Sequence, residues 1–152
     1  MPDSIRPLIL VVDDSPADRK LFRRMLEKAG YAVAEASSGP EAIEALMNTR
    51  FDLMILDLRM PGLDGLELLH NLRSMPKPKI IAATDSSYPR LLELARQLGA
   101  SSTLEKTLAD GELVPMVQAL LTRPASSGDG INLTNEPNKS KKTTLLPFLG
   151  LL

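Results

Sequence analysis

The sequence predicts an α/β fold: a doubly wound, five-stranded parallel sheet in the order 2-1-3-4-5, with helices on both faces. Three observations carry the prediction. Short apolar runs alternate with helix-patterned segments five times, which is the pattern of right-handed strand–helix–strand crossovers. The central run, Leu53 to Leu56, is apolar without alternation, as a strand buried on both faces requires. It ends on Asp57 and is followed by the turn formers Pro61, Gly62 and Gly65. That strand delivers a carboxylate to its own C-terminal end, where open α/β sheets form their binding crevice.

The elements follow in order. Leu8 to Val12 is a first strand, stopped by Asp13-Asp14-Ser15-Pro16. A helix starts at Pro16; Leu21, Phe22, Met25, Leu26 and Ala29 keep helical spacing, and Arg19, Lys20, Arg23, Arg24, Glu27 and Lys28 are assigned to water, with Gly30 as the stop. Tyr31 to Ala36 reads as the second strand. Ser38-Gly39-Pro40-Glu41 has the form of a capping box with proline in the first turn, opening a helix through Ile43, Leu46 and Met47. After the central strand, Asp64 caps a third helix, Leu66 to Arg73. Lys79 to Thr84 is the fourth strand and Pro89 to Leu98 the fourth helix, ending at Gly99. A weaker strand, Ala100 to Glu105, precedes a last helix from about Asp110 to Leu121, which Pro115 should bend or shorten.

One domain over residues 5–123 accounts for this pattern. Residues 124–152 begin with a segment rich in Ser, Gly, Asn and Lys, expected to be a flexible linker or tail, and end in the apolar LLPFLGLL. That end is well short of the ~20 residues a membrane span needs. The 152 residues suffice for one domain with a core, and 43% hydrophobic content is ordinary. A net charge of -1 gives no global field toward nucleic acid or membrane, and the scarcity of aromatic residues argues against stacking on single strands. The absence of cysteine excludes disulfides, a thiol nucleophile and zinc–thiolate sites. No secretion signal opens the chain, so a cytoplasmic location is expected.

In the predicted sheet, Asp13 and Asp14 end the first strand and Asp57 ends its neighbour, so three carboxylates share one pocket. Such acids are tolerable as anions only beside a compensating cation. An all-oxygen ligand set suits a hard ion, and Mg²⁺ is the natural choice. The fourth and fifth strands bring Thr84 and Lys106 to the same edge, a hydroxyl and an ammonium suited to phosphoryl oxygens. A lone Asp after a strand usually starts a turn, but this company makes that reading of Asp57 the weaker one.

The runs ILVVDDSP, MILDLRMPGLDG, IIAATD and LEK, in this order on these strand ends, resemble the receiver domain of bacterial two-component response regulators. The resemblance covers about Leu8 to Leu121. It implies the flavodoxin-like (βα)5 fold of the chemotaxis regulators. It implies that Asp57 accepts a phosphoryl group from a partner histidine kinase or phosphotransfer protein, and that Asp13, Asp14, Asp57 and the main-chain carbonyl of Arg59 arrange Mg²⁺. Thr84 and Lys106 would each meet a phosphoryl oxygen. A receiver assists its own phosphorylation and dephosphorylation, is not a turnover enzyme, and works as a monomer or a phosphorylation-dependent dimer through protein contacts, without direct contact to nucleic acid.

Three positions depart from the family pattern. Receivers usually carry an aromatic residue where this chain has Thr103, and a proline where it has Thr107. The family's Lys-Pro bond is typically cis, whereas a bond before a non-proline residue favours trans by about 2.5–4 kcal/mol. Asp85 adds negative charge beside the phosphoryl site. These substitutions keep alive a second reading, a degenerate receiver that binds partners without phosphorylation. A haloacid-dehalogenase-like phosphohydrolase fits less well, because its nucleophile follows the first strand. A flavodoxin-like nucleotide binder would be repelled by Asp13-Asp14. His70 reads as a helix-surface residue, Met25, Met47, Met54 and Met75 as core or rim packing, and Lys139, Lys141 and Lys142 as a solvated patch.

Overall fold

The computed structural model describes residues 5–62, 64–85 and 88–122. Five strands, β1 (Leu8–Val12), β2 (Ala32–Ala36), β3 (Leu53–Asp57), β4 (Lys79–Thr84) and β5 (Ser102–Glu105), form one parallel sheet in the order β2-β1-β3-β4-β5. Between them run α1 (Pro16–Lys28), α2 (Gly39–Asn48), α3 (Gly65–Leu72) and α4 (Pro89–Gln97), and α5 (Ala109–Thr122) follows β5. The predicted fold class and strand order are those observed.

The period of two along the strands divides the core into two layers. Leu10, Met54, Leu56, Ile80 and Ala82 point to one face, where they pack with Ala42 of α2, Leu68, Leu69 and Leu72 of α3 and Ala95 of α4. Ile9, Val11, Leu53, Ile55, Ile81, Ala83 and Leu104 point to the other, against Phe22 and Leu26 of α1 and Leu113 and Val117 of α5. Every residue of β3 is buried, as a central strand covered on both faces requires.

Helix ends explain the boundary differences from the sequence reading. At the end of α1, Gly30 takes a left-handed φ of 99°; its N–H bonds Glu27 O at 3.0 Å and the Tyr31 N–H reaches Leu26 O at 3.0 Å. Tyr31 is thus spent on closing the helix, and β2 begins one residue later, at Ala32. Gly99, with φ 110°, and Ala100, whose N–H bonds Ala95 O at 2.9 Å, do the same for α4. β5 therefore begins at Ser102, not Ala100.

Helix α3 starts at Gly65, capped as expected by Asp64, whose side chain accepts from the Glu67 N–H at 2.9 Å, and it ends at Leu72. Pro115 does not shorten α5, which runs the full span from Ala109 to Thr122. The carbonyl that loses its partner belongs to Gly111; both residues are exposed, so water can meet it.

Some apolar side chains assigned to the interior lie outside it. Leu21 is 43% exposed and Met47 is 72% exposed, because each sits about 100° around its helix from the buried stripe. Met75 is also exposed, whereas Met54 is wholly buried and Met25 packs partly buried on the α1 layer. Arg19 and Arg23, assigned to water, instead share Glu35 of β2 at 3.0 Å and 2.6 Å. His70 is exposed on α3, as expected. Residues 124–152, and with them Lys139, Lys141 and Lys142, lie outside the described residues.

Candidate functional site

Strand register builds the site before any side-chain contact is considered. Val12 pairs with Leu56, so Asp13 and Asp57 each stand one residue beyond that pair. Asp57 pairs with Ala83, putting Thr84 one step further; Thr84 pairs with Glu105, putting Lys106 one step further again. Four C-terminal strand ends thus bring two acids, a hydroxyl and an amine to one edge. The alternation along each strand places Asp13, Asp57 and Lys106 on the layer that α1 covers, since they keep the parity of Val11, Ile55 and Leu104.

The observed contacts agree. Asp13, Asp14 and Asp57 each offer a carboxylate oxygen, and these atoms lie within 4.8 Å of one another. Asp13 and Asp57 are buried and Asp14 is exposed. Lys106 Nζ lies 2.7 Å from Asp13 Oδ2, 2.9 Å from Asp18 Oδ2 and 3.5 Å from Asp57 Oδ2. Asp57 Oδ1 accepts from the Arg59 N–H at 3.1 Å, and Asp13 Oδ1 from the Ser15 N–H at 2.9 Å. Arg19 donates to the main-chain carbonyl of Asp13 at 2.6 Å, tying the end of β1 to α1. Asp13, Asp14, Asp57, Arg59 and Lys106 edge a cleft of about 680 Å³, to which Thr84 and Asp85 also contribute.

Electrostatics follow from this crowding. Burial and the Asp13 charge lift the Asp57 pKa from 3.8 to about 7, although the Arg59 N–H and the Lys106 charge oppose them. For Lys106, burial works against the ammonium, but its close contacts with the Asp13 and Asp18 carboxylates and the Asp57 charge outweigh it. Its pKa is held above the ordinary lysine range, so the amine stays charged at any physiological pH.

The residues fit a hard divalent cation beside a phosphoryl group. Three carboxylates without nitrogen or sulfur ligands form the kind of set such an ion takes. Thr84 Oγ1 is a buried hydroxyl with no hydrogen-bond partner among the described residues, a cost normally avoided unless something else completes the site.

The loops around the cleft have their own constraints. Gly62 adopts φ 75° in the turn after β3. A Cβ at Gly65 would lie 2.2 Å from the Asp57 carbonyl oxygen and 2.6 Å from Leu58 Cα, so only glycine lets α3 begin this close to Asp57. Across the mouth, the Arg59 guanidinium sits over the Tyr88 ring, 4.1 Å from its centroid.

Asp13, Asp14, Asp57, Arg59, Thr84, Asp85 and Lys106, all singled out from the sequence, line the cleft. Thr103 does not. Its hydroxyl accepts from Arg96 of α4 at 2.7 Å, on the surface between α4 and β5. Thr107 lies in a single 3₁₀ turn, Lys106–Leu108, and the Lys106–Thr107 bond is trans.

Sequence reasoning missed Asp18. A signal was present: Asp18 stands four residues before Phe22 and eight before Leu26, on the core-facing stripe of α1. An acid on an apolar stripe requires a buried partner, and here that partner comes from 88 residues away.

Comparison with known proteins places these features in a family. Residues 9–118 match the family described as the response regulator receiver domain. The chain is similar to the response regulator MprA of Mycobacterium sp. (strain KMS), 42% identical over 146 residues that cover 94% of this chain and 58% of that protein. It is also similar to the transcriptional regulatory protein ResD of Bacillus subtilis (strain 168), 37% identical over 132 residues covering 87% and 54%. The chain thus spans little more than half the length of these relatives. Among solved structures, it resembles the Vibrio cholerae chemotaxis protein CheY4, with a TM-score of 0.71 and 29% identity over 77% of this chain and 100% of that one. TrrA of Thermotoga maritima, solved in complex with Mg²⁺-BeF, gives a TM-score of 0.68 and 37% identity over 76% of this chain and 99% of that one.

Proposed function

The chain belongs to the response regulator receiver domain family, and from that premise we propose that it is a phosphoryl-accepting domain of a two-component pathway with Asp57 as the acceptor. One observation carries the reading: Asp57 is buried at the end of the central strand, between two further acids and a permanently charged Lys106. A fold gains nothing from such a grouping, while phosphoryl transfer uses every member of it.

The donor is a phosphohistidine on a partner kinase or phosphotransfer protein. An Asp57 carboxylate oxygen attacks phosphorus in line; the O–P bond forms as the N–P bond breaks, and the electron pair stays on the departing imidazole nitrogen. Asp57 then carries an acyl phosphate. Mg²⁺, when bound, neutralises charge on the acids and on the phosphoryl oxygens. Asp13, Asp14, Asp57 and the Arg59 main-chain carbonyl are the groups we assign to hold it. Lys106 pairs with one phosphoryl oxygen. Thr84 donates its unpartnered hydroxyl to another. Nearby positive charge also favours the ionised, nucleophilic form of Asp57 against its raised pKa.

The domain, read as residues 5–123, takes one phosphoryl group per cycle, promotes its own dephosphorylation and is not a turnover enzyme. It acts in the cytoplasm by changing its contacts with a target protein, as a monomer or a phosphorylation-dependent dimer. No helix among the described residues is long and apolar enough to cross a membrane.

Incubation with acetyl phosphate and Mg²⁺, followed by intact-mass measurement, tests the reading. One phosphoryl adduct is expected, absent from a folded Asp57→Ala variant. An adduct that persists in that variant, or forms without a divalent metal, overturns the assignment.

A further inference from the structure

We propose that Asp18, in the first turn of α1, is a positioning residue that holds the Lys106 ammonium in place for phosphoryl transfer to Asp57. The inference rests on the reading of Asp57 as the acceptor.

A first-turn acid is ordinarily explained by its helix. It interacts favourably with the positive end of the helix dipole and returns a bond to the N-cap amide. Asp18 has the right position for that duty, since its own N–H bonds the Ser15 hydroxyl at 3.2 Å. However, the Ser15 N–H is already taken by Asp13 Oδ1, and the Asp18 carboxylate is turned instead toward the sheet edge, onto Lys106 Nζ. The helix therefore does not account for the acid.

Lys106 accounts for it. An ammonium has three N–H donors on a flexible four-carbon stem. Asp18 takes one of them in a hydrogen bond of 2.9 Å from the α1 side, and Asp13 Oδ2 forms an ion pair with the same nitrogen at 2.7 Å from the β1 side. Asp57 Oδ2 stands further off, at 3.5 Å, beyond a good hydrogen bond. The ammonium is thus fixed beside the acceptor without being consumed by it, and a donor is available to a phosphoryl oxygen. Without Asp18, the stem has one anchor fewer, and Lys106 can close on Asp57, the group the reaction needs free.

Three measurements test this. The Lys106 ammonium should give a slowly exchanging side-chain NMR signal in the unphosphorylated protein, and Asp18→Ala should broaden or abolish it. The rate of phosphorylation by acetyl phosphate at saturating Mg²⁺ should fall roughly tenfold in Asp18→Ala and stay within about threefold of the original in Asp18→Asn, because the amide oxygen can still accept the bond. In a Lys106→Met background, Asp18→Ala should have no further effect. The proposal is overturned if Asp18→Asn is as slow as Asp18→Ala, since that is the signature of charge alone, or if Asp18→Ala keeps its full effect when Lys106 is gone. Should the unaltered protein take no phosphoryl group at all, the acceptor reading fails instead, and the ammonium signal alone then judges the clamp.

Discussion

Replacing Asp57 with asparagine should make the domain more stable, and the gain should depend on pH. The carboxyl is lifted from 3.8 to about 7 by burial and by the Asp13 charge. In the unfolded chain it ionises freely; in the folded one it must hold its proton up to the higher value. Between those pH values the folded state binds more protons than the unfolded state, so stability falls as pH rises. The contribution is fully present below pH 3.8 and lost on passing about pH 7. A shift of this size corresponds to about 4 kcal/mol at high pH. The asparagine side chain has no proton to lose and escapes that cost, but it gives up the attraction of Lys106, leaving a net gain of about 2–3 kcal/mol. At about 4 °C per kcal/mol for a domain of this size, Asp57→Asn should melt roughly 8–12 °C higher than the unaltered protein at pH 8. Calorimetric melts at pH 8 and pH 4 check this, and the difference should shrink to about 2 °C at pH 4. Mg²⁺ should also narrow the gap at pH 8, because a cation held by the acids stabilises the folded form that has Asp57. Equal melting temperatures at pH 8, or a gap independent of pH, would refute the account of the site's electrostatics.

Further outcomes follow from packing and from the surface. Gly65→Ala should cost about 2–4 kcal/mol and slow phosphorylation, because its Cβ can be accommodated only by moving the backbone of Asp57 and Leu58; chemical denaturation with a parallel phosphorylation assay measures both. Leu26→Ala, in the wholly buried stripe of α1, should lose about 2–5 kcal/mol, whereas Met47→Ala should change stability by less than about 0.5 kcal/mol. Truncation after Arg123 should leave the melting temperature within about 2 °C, as the low apolar content of Pro124 to Lys142 implies, and a larger loss would show that the apolar LLPFLGLL end packs on the domain. Beryllofluoride with Mg²⁺ should shift NMR signals beside Asp57 more than those from Pro89 to Leu104, and equal shifts along that stretch would show that α4 and β5 respond fully without an aromatic residue at position 103.

The fold was legible because its signals are local and repeated. A buried parallel strand must be continuously apolar, as Leu53 to Leu56 is, and each helix carries its own stripe and stop. The boundary errors also have a local cause. Tyr31 and Ala100 are acceptable strand residues, but each follows a glycine that turns the chain left-handed, and their N–H groups go to closing a helix. Leu21 and Met47 show a different limit. Composition marks them as core residues, while a rotation of about 100° decides that they are not.

The site divides along the same line between what a strand carries and what a fold assembles. Asp13, Asp57, Thr84 and Lys106 could be found because strand ends in a known sheet order point to one edge, so position in sequence fixes position in space. Which donor meets which acceptor there is set by rotamers and by register, and neither is written in a spacing. Asp18 is the case in point, since its role depends on α1 crossing the sheet beside a turn 88 residues away. Thr103 is its counterpart. From the sequence it is only a missing ring; in the fold, its hydroxyl receives the Arg96 guanidinium, which also pairs with Glu93 at 3.2 Å. A ligand shifts a conformational equilibrium only through contacts that differ between its states. An aromatic ring that changes its burial supplies such a difference, whereas an exposed hydrogen bond is exchanged readily for water at little cost. With α4 burying only Ala95 completely and holding Thr103 by a surface bond, the coupling from Asp57 to this face should be weak, and the loops around the acceptor should carry the larger share of any response.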